Sequence, residues 1–97
     1  MASYIILANY TSVGIRNIKA TTQRAKDFRS ETEKVGIKVK DIYWTMGNVD
    51  VVIIAESPDD ETMAGLLFAL GRLGNVKTQT LRAFPIDAME KIIGKLP

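Results

Sequence analysis

Between Lys38 and Glu56 the chain carries two runs rich in β-branched and aromatic residues, separated by Gly47-Asn48. That is the pattern of an antiparallel hairpin. With Gly47-Asn48 as the turn, Thr45 falls opposite Asp50, Tyr43 opposite Val52 and Asp41 opposite Ile54. Successive strand residues point to opposite sides, so the other face collects Ile42, Trp44, Met46, Val49, Val51 and Ile53. One side of the hairpin is wholly apolar and the other is mixed.

The remaining elements follow from periodicity and punctuation. Tyr4 to Tyr10 reads as a strand apolar on both sides, with Ile5 and Leu7 on one and Tyr4, Ile6, Ala8 and Tyr10 on the other, which suits a central position. Ile15 and Ile18 suggest a short helical turn. Thr21 then caps a helix running to about Val35, with an apolar stripe of Ala25, Phe28, Thr32 and Val35, and Gly36 stops it. Ser57-Pro58-Asp59-Asp60 opens a second helix, with Ser57 as cap and acidic residues at the positive end of the dipole. Met63, Leu66, Leu67 and Leu70 form its core stripe, and Phe68 falls off that stripe. Gly71 to Asn75 closes it as caps and turns, because a phosphate-cradling loop would follow a strand and open a helix.

Val76 to Phe84 is the last strand, and which of its faces meets the helices stays open. Pro85 ends it. Asp87 then caps a short amphipathic helix with Met89, Ile92, Ile93 and Leu96 on one side. The order of strand, helix, strand, strand, helix, strand predicts an α+β, ferredoxin-like βαββαβ domain spanning residues 1–97. Its antiparallel sheet has four strands, with both long helices on one face and a short C-terminal helix added. The helices are expected to cover the apolar hairpin face. Tyr43, Thr45, Asp50, Val52 and Ile54, joined by Tyr4 and Ile6, form the opposite face, which is too apolar to leave in water. A second copy covering it gives a homodimer or higher homo-oligomer with an enclosed cleft.

Composition removes several chemistries. The chain has 97 residues and neither cysteine nor histidine, so disulfides, thiolate metal sites and Ser–His–Asp triads are absent. No cofactor or metal is expected. The net charge of +2 has acidic and basic residues interleaved, which gives no ground for a nucleic-acid partner. No apolar run approaches the roughly 20 residues of a membrane span, and no secretory signal is evident. A cytoplasmic location is expected.

The residues also carry a resemblance. Ile18-Lys19 with Arg24, Tyr43 to Gly47 followed by Asp50-Val51-Val52, Glu56 to Asp60, and Leu70 to Val76 running on into Thr78 to Phe84 resemble the GYD-domain family of small proteins. The resemblance covers nearly the whole chain and implies a fold of the dimeric α/β-barrel type. The tyrosine of the family's name would fall at position 49, where this chain has Val49, so no role of that hydroxyl carries over. The resemblance implies no particular activity.

The candidate ligand-binding residues are Tyr43, Thr45 and Asp50 near the hairpin turn, with Arg82 facing them from the last strand. A carboxylate in a half-apolar cleft has the setting of a general base, and an arginine beside it would instead hold it ionised for an anionic ligand. Asp50 could equally serve only the backbone at the turn. The candidate oligomer interface comprises Tyr4, Ile6, Val52, Ile54, Phe68, Ile92 and Ile93. A small-molecule binding or sensing module is the first expectation. A cofactor-independent isomerase or monooxygenase-like enzyme using Asp50 and Tyr43, and a structural oligomerisation protein, are the alternatives.

Overall fold

Strand β1 (Ala2–Tyr10) runs through the interior of the sheet, and the computed structural model, which describes residues 1–97, arranges the other elements around it. A short helix α1 (Ser12–Arg16) and a 3-10 turn (Ile18–Ala20) lead into α2 (Thr21–Lys34). The hairpin strands β2 (Lys38–Trp44) and β3 (Val51–Ser57) follow, then α3 (Asp60–Arg72), β4 (Val76–Ala83) and α4 (Ile86–Gly94). All neighbours are antiparallel, in the order β2-β3-β1-β4. This is the α+β, ferredoxin-like arrangement expected from the pattern.

The hairpin register is the expected one: Asp41 faces Ile54, Ile42 faces Ile53, Tyr43 faces Val52 and Trp44 faces Val51. Regular pairing stops at Trp44 and Val51, so the connection is longer than two residues, although the Thr45 N–H still donates to the Asp50 carbonyl at 2.9 Å. Gly47 supplies the positive φ of 111° that the connection requires. A bulge at Lys40 interrupts the β2–β3 ladder between Val39 and Asp41.

The face of β1 corrects the expectation. Ile6 pairs with Ile53, Tyr4 with Ala55 and Ala8 with Val51, and directly opposed antiparallel residues share a side of the sheet. Tyr4, Ile6 and Ala8 therefore lie under the helices, buried with Val51, Ile53, Ala55 and Met63. Tyr4 and Ile6 are core residues and do not belong to an exposed interface. Each fully buried aliphatic side chain here contributes roughly 1.5–3 kcal/mol. Ile5 and Leu7 take the open side instead, beside Ile54 and Val52. The same pairing settles β4: Arg82 faces Tyr4, Thr80 faces Ile6 and Thr78 faces Ala8, so these three share the helix side.

The helix starts differ from expectation by one or two residues, each for a local reason. The α3 cap is Asp59, whose carboxylate accepts the Thr62 N–H at 2.7 Å. Hydrogen bonding from Thr62, its side chain first, holds that carboxyl below its usual pKa. Ser57 stays in β3, fully buried, and its hydroxyl donates to the Asp59 carbonyl. Thr21 is the first residue of α2 and not its cap, and its hydroxyl bonds elsewhere. Pro85, not Asp87, precedes α4. Thr32 completes the α2 stripe fully buried, with its hydroxyl donating to the Arg29 carbonyl, whereas Val35 at the helix end is exposed.

The β1–α1 connection is tied to the α3–β4 connection. The Thr11 N–H donates to the Asn75 carbonyl at 3.1 Å, and its hydroxyl donates to the Gly74 carbonyl at 2.6 Å. The Gly14 N–H returns a bond to the Thr11 hydroxyl. Gly14 lies so close to the other connection that a Cβ there would stand 1.9 Å from the Asn75 carbonyl oxygen. The tie joins the two crossover units at the end of the sheet where β1 finishes and β4 begins.

Candidate functional site

The four candidate ligand residues do not converge. Tyr43 is exposed on the open sheet face opposite Val52. Thr45 donates its hydroxyl to the Val49 carbonyl and closes the turn. The Asp50 carboxylate accepts the Tyr10 N–H at 2.9 Å, while its own N–H donates to the Ala8 carbonyl and the Asn9 side chain. Asp50 thus binds the end of β1 to the start of β3. Arg82 lies toward the opposite end of β1, opposite Tyr4 and on the helix side, so the expected apposition with Asp50 does not form. Its guanidinium stacks over Tyr4 and Phe84, 5.5 and 4.8 Å from the ring centroids, and donates to the Ser3 and Ala83 carbonyls. The Tyr4 hydroxyl donates to Asp60, and burial first, then that bond, pushes its pKa up to about 12.

The Asp50 geometry carries a prediction. Asp50→Ala removes the acceptor for a backbone N–H, and hydrogen bonds to charged groups contribute about 1.5–3 kcal/mol. A stability loss of that size is expected in urea unfolding, while Asp50→Asn, which keeps an acceptor oxygen, should lose less than half as much. Equal losses in the two variants would overturn the assignment.

Three apolar surfaces remain. The open sheet face carries a band of Ile5, Leu7, Val52 and Ile54, extended by Tyr43 on β2 and by Leu81 opposite Ile5 on β4. Phe68 stands 79% exposed on the outside of α3. Helix α4 has no buried residue: Ile92 is partly covered, while Ile86, Met89 and Ile93 are exposed along it.

A fourth feature was not anticipated from the sequence. Helices α2 and α3 part above the sheet and leave a groove of about 450 Å³. Its walls are apolar, with Phe28, Ile42, Ile53, Leu66 and Leu70 among them. At one end Tyr10, Thr21 and Trp44 form a closed triangle. The two hydroxyl oxygens are 2.6 Å apart, and the indole N–H lies 3.1 Å from each. Alanines at 25 and 69, one on each helix, line the gap where larger side chains would fill it. Those two positions were the available signal.

A four-stranded ferredoxin-like sheet with two helices on one face and an apolar open face defines a small α+β domain of a widespread type. Residues 4–93 match the GYD domain, and the chain belongs to that family. A relative in Thermus thermophilus, the glutamine synthetase and cystathionine beta-lyase binding protein, is 32% identical over 87 residues. The match covers 89% of this chain and 92% of the relative. No solved structure matches the chain. No helix is long and apolar enough to cross a membrane.

Proposed function

We propose that this chain is a binding protein that docks on another protein, with metabolic enzymes as its partners, and that it does so as a homodimer. The observation that carries the reading is the relative, matched over nearly its whole length and named for binding two enzymes. The surfaces agree with it. An exposed phenylalanine on α3 and an apolar stripe on α4 are the kind of anchors that protein interfaces bury. The open sheet band supports self-association, because a contiguous apolar patch rimmed by polar residues marks an interaction site. A cytoplasmic location goes with this reading, since the partners would be metabolic enzymes.

A small-molecule cleft between two sheet faces has less support. Of the residues proposed for it, Asp50 is bonded to backbone and Arg82 lies on the other side of the sheet. The same two facts weaken an enzyme built on Asp50 and Tyr43.

The direct test mixes the purified chain with purified glutamine synthetase, and separately with purified cystathionine beta-lyase, from its own organism. Co-elution with at least one in size-exclusion chromatography is expected, and Phe68→Glu or Ile93→Glu should weaken it without unfolding the chain. Failure to bind either enzyme at micromolar concentration would sink the proposal.

A further inference from the structure

We propose that the groove between α2 and α3 binds an amphiphilic carboxylate: an apolar chain or ring along the groove, with its carboxylate at the Tyr10 end. This site lies on the face of the sheet opposite the open apolar band. It is independent of the protein-docking reading.

Shape supplies the first argument. A groove of about 450 Å³ lies within the roughly 300–1,000 Å³ of small-molecule sites, which pair apolar walls with few polar groups. The hydroxyl, indole and guanidinium groups are gathered at one end, while Asp27 and Glu31 line the groove further along α2. Strands β1 and β2 finish at that end with Tyr10 and Trp44, and β3 and β4 begin there with Val51 and Val76. Helix α2 starts and α3 finishes at the same end, which places Arg24 in the first turn of one and Arg72 in the last turn of the other.

Hydrogen-bond accounting supplies the second argument. In the Tyr10–Thr21–Trp44 triangle there are three hydrogens, one on the indole and one on each hydroxyl. The indole hydrogen points between the two oxygens, and one hydroxyl donates to the other. The second hydroxyl hydrogen has no protein acceptor. All three side chains line the groove, so this donor is available to a ligand oxygen.

Charge supplies the third. Arg24 and Arg72 both line the groove, and neither makes an ion pair or a side-chain hydrogen bond. Of the two acids that line it, Glu31 is offset by Lys34 at 3.0 Å, and Asp27, which keeps its charge, accepts from the Gln23 amide at 3.0 Å. They also lie further along α2, away from the polar end. The first turn of α2 carries no acidic residue, and the last turn of α3 at the same end carries Arg72, which offsets that helix's negative terminus. Two free guanidinium groups and a free hydroxyl donor at one end of an apolar trough select an anion with an apolar body.

Trp44 is the single tryptophan and lines the groove, so its emission reports occupancy directly. Decanoate, titrated below its micelle concentration, should change Trp44 emission saturably, with stoichiometry confirmed by calorimetry. Decanol should bind at least about fivefold more weakly, and Arg24→Gln/Arg72→Gln should weaken decanoate roughly tenfold, as expected for losing two exposed charge contacts. That double variant changes two surface side chains, and its fold is verified by circular dichroism. Absence of a saturable change, equal affinity for decanol, or undiminished decanoate binding in the double variant would each overturn the proposal. A groove that takes a protein segment instead would give the first of these results.

Discussion

Gly14→Ala is expected to lower stability by roughly 2–4 kcal/mol, through overpacking against backbone and loss of the hydrogen bonds around it. The added Cβ would stand 1.9 Å from the Asn75 carbonyl oxygen, and backbone cannot swing aside as a flexible side chain can. One of the two connections must move, and either movement strains the Thr11 bonds to Gly74 and Asn75. For a domain of this size the melting temperature should fall on the order of 10–25 °C. Gly65→Ala provides the contrast. Its Cβ would meet nothing within 4 Å, and replacing glycine inside a helix is worth about 0.5–1 kcal/mol in stability. Thermal unfolding followed by circular dichroism compares them directly. A Gly14→Ala loss below about 0.5 kcal/mol, the scale of an ordinary surface change, would show that the tie is loose.

The second large effect separates two neighbouring residues. Ile6→Asp should leave the chain unfolded at room temperature. It removes a fully buried side chain worth roughly 2–3 kcal/mol and places an unpaired charge among Ile53, Tyr4 and Met63. Leu7→Asp should leave the far-ultraviolet spectrum unchanged, because Leu7 points to the open side with Val52 opposite it. Its effect is instead on assembly. Light scattering should show the dimer proposed above for the parent and a monomer for Leu7→Asp. A folded Ile6→Asp would contradict the core assignment, and an unchanged mass for Leu7→Asp would contradict the sheet-face dimer.

This pair also shows where sequence reasoning worked and where it could not. The hairpin register was legible because a period of two and a glycine turn leave one pairing that keeps Ile42, Trp44, Val51 and Ile53 on one side. Strand β1 offered no such asymmetry. Ile5 and Leu7 are as apolar as Ile6 and Ala8, so parity within the strand could not say which pair faces the helices. Only the row of β3 that each residue meets decides it.

The four candidate ligand residues lie apart for a related reason. Alternation put Asp50 with Tyr43 and Thr45, but at a strand end the Tyr10 N–H needs an acceptor and the nearby carboxylate supplies it. The side taken by Arg82 stays open in the sequence because its strand's orientation follows from β1's, and pairing with Tyr4 puts it on the helix side. Ser57 and Asp59 are both good caps, and the ladder with Ala2 keeps Ser57 in the sheet. The α2–α3 groove was legible only as two alanines, residues that a sequence reading treats as good helix formers and nothing more.

The bulge at Lys40 has a further consequence, for how copies of this chain can meet. Strands β2 and β4 are the two edges of the sheet, and an exposed edge invites another strand to extend it without limit. A bulge breaks the regular spacing of donors and acceptors that such extension requires. Lys38 and Lys40 on β2, and Lys77 and Arg82 on β4, add charge along both edges. Strand-by-strand growth into fibres is therefore disfavoured at both borders. Association through the sheet's open face, by contrast, would end once the face is covered, so the homodimer proposed above would be a closed assembly of fixed size.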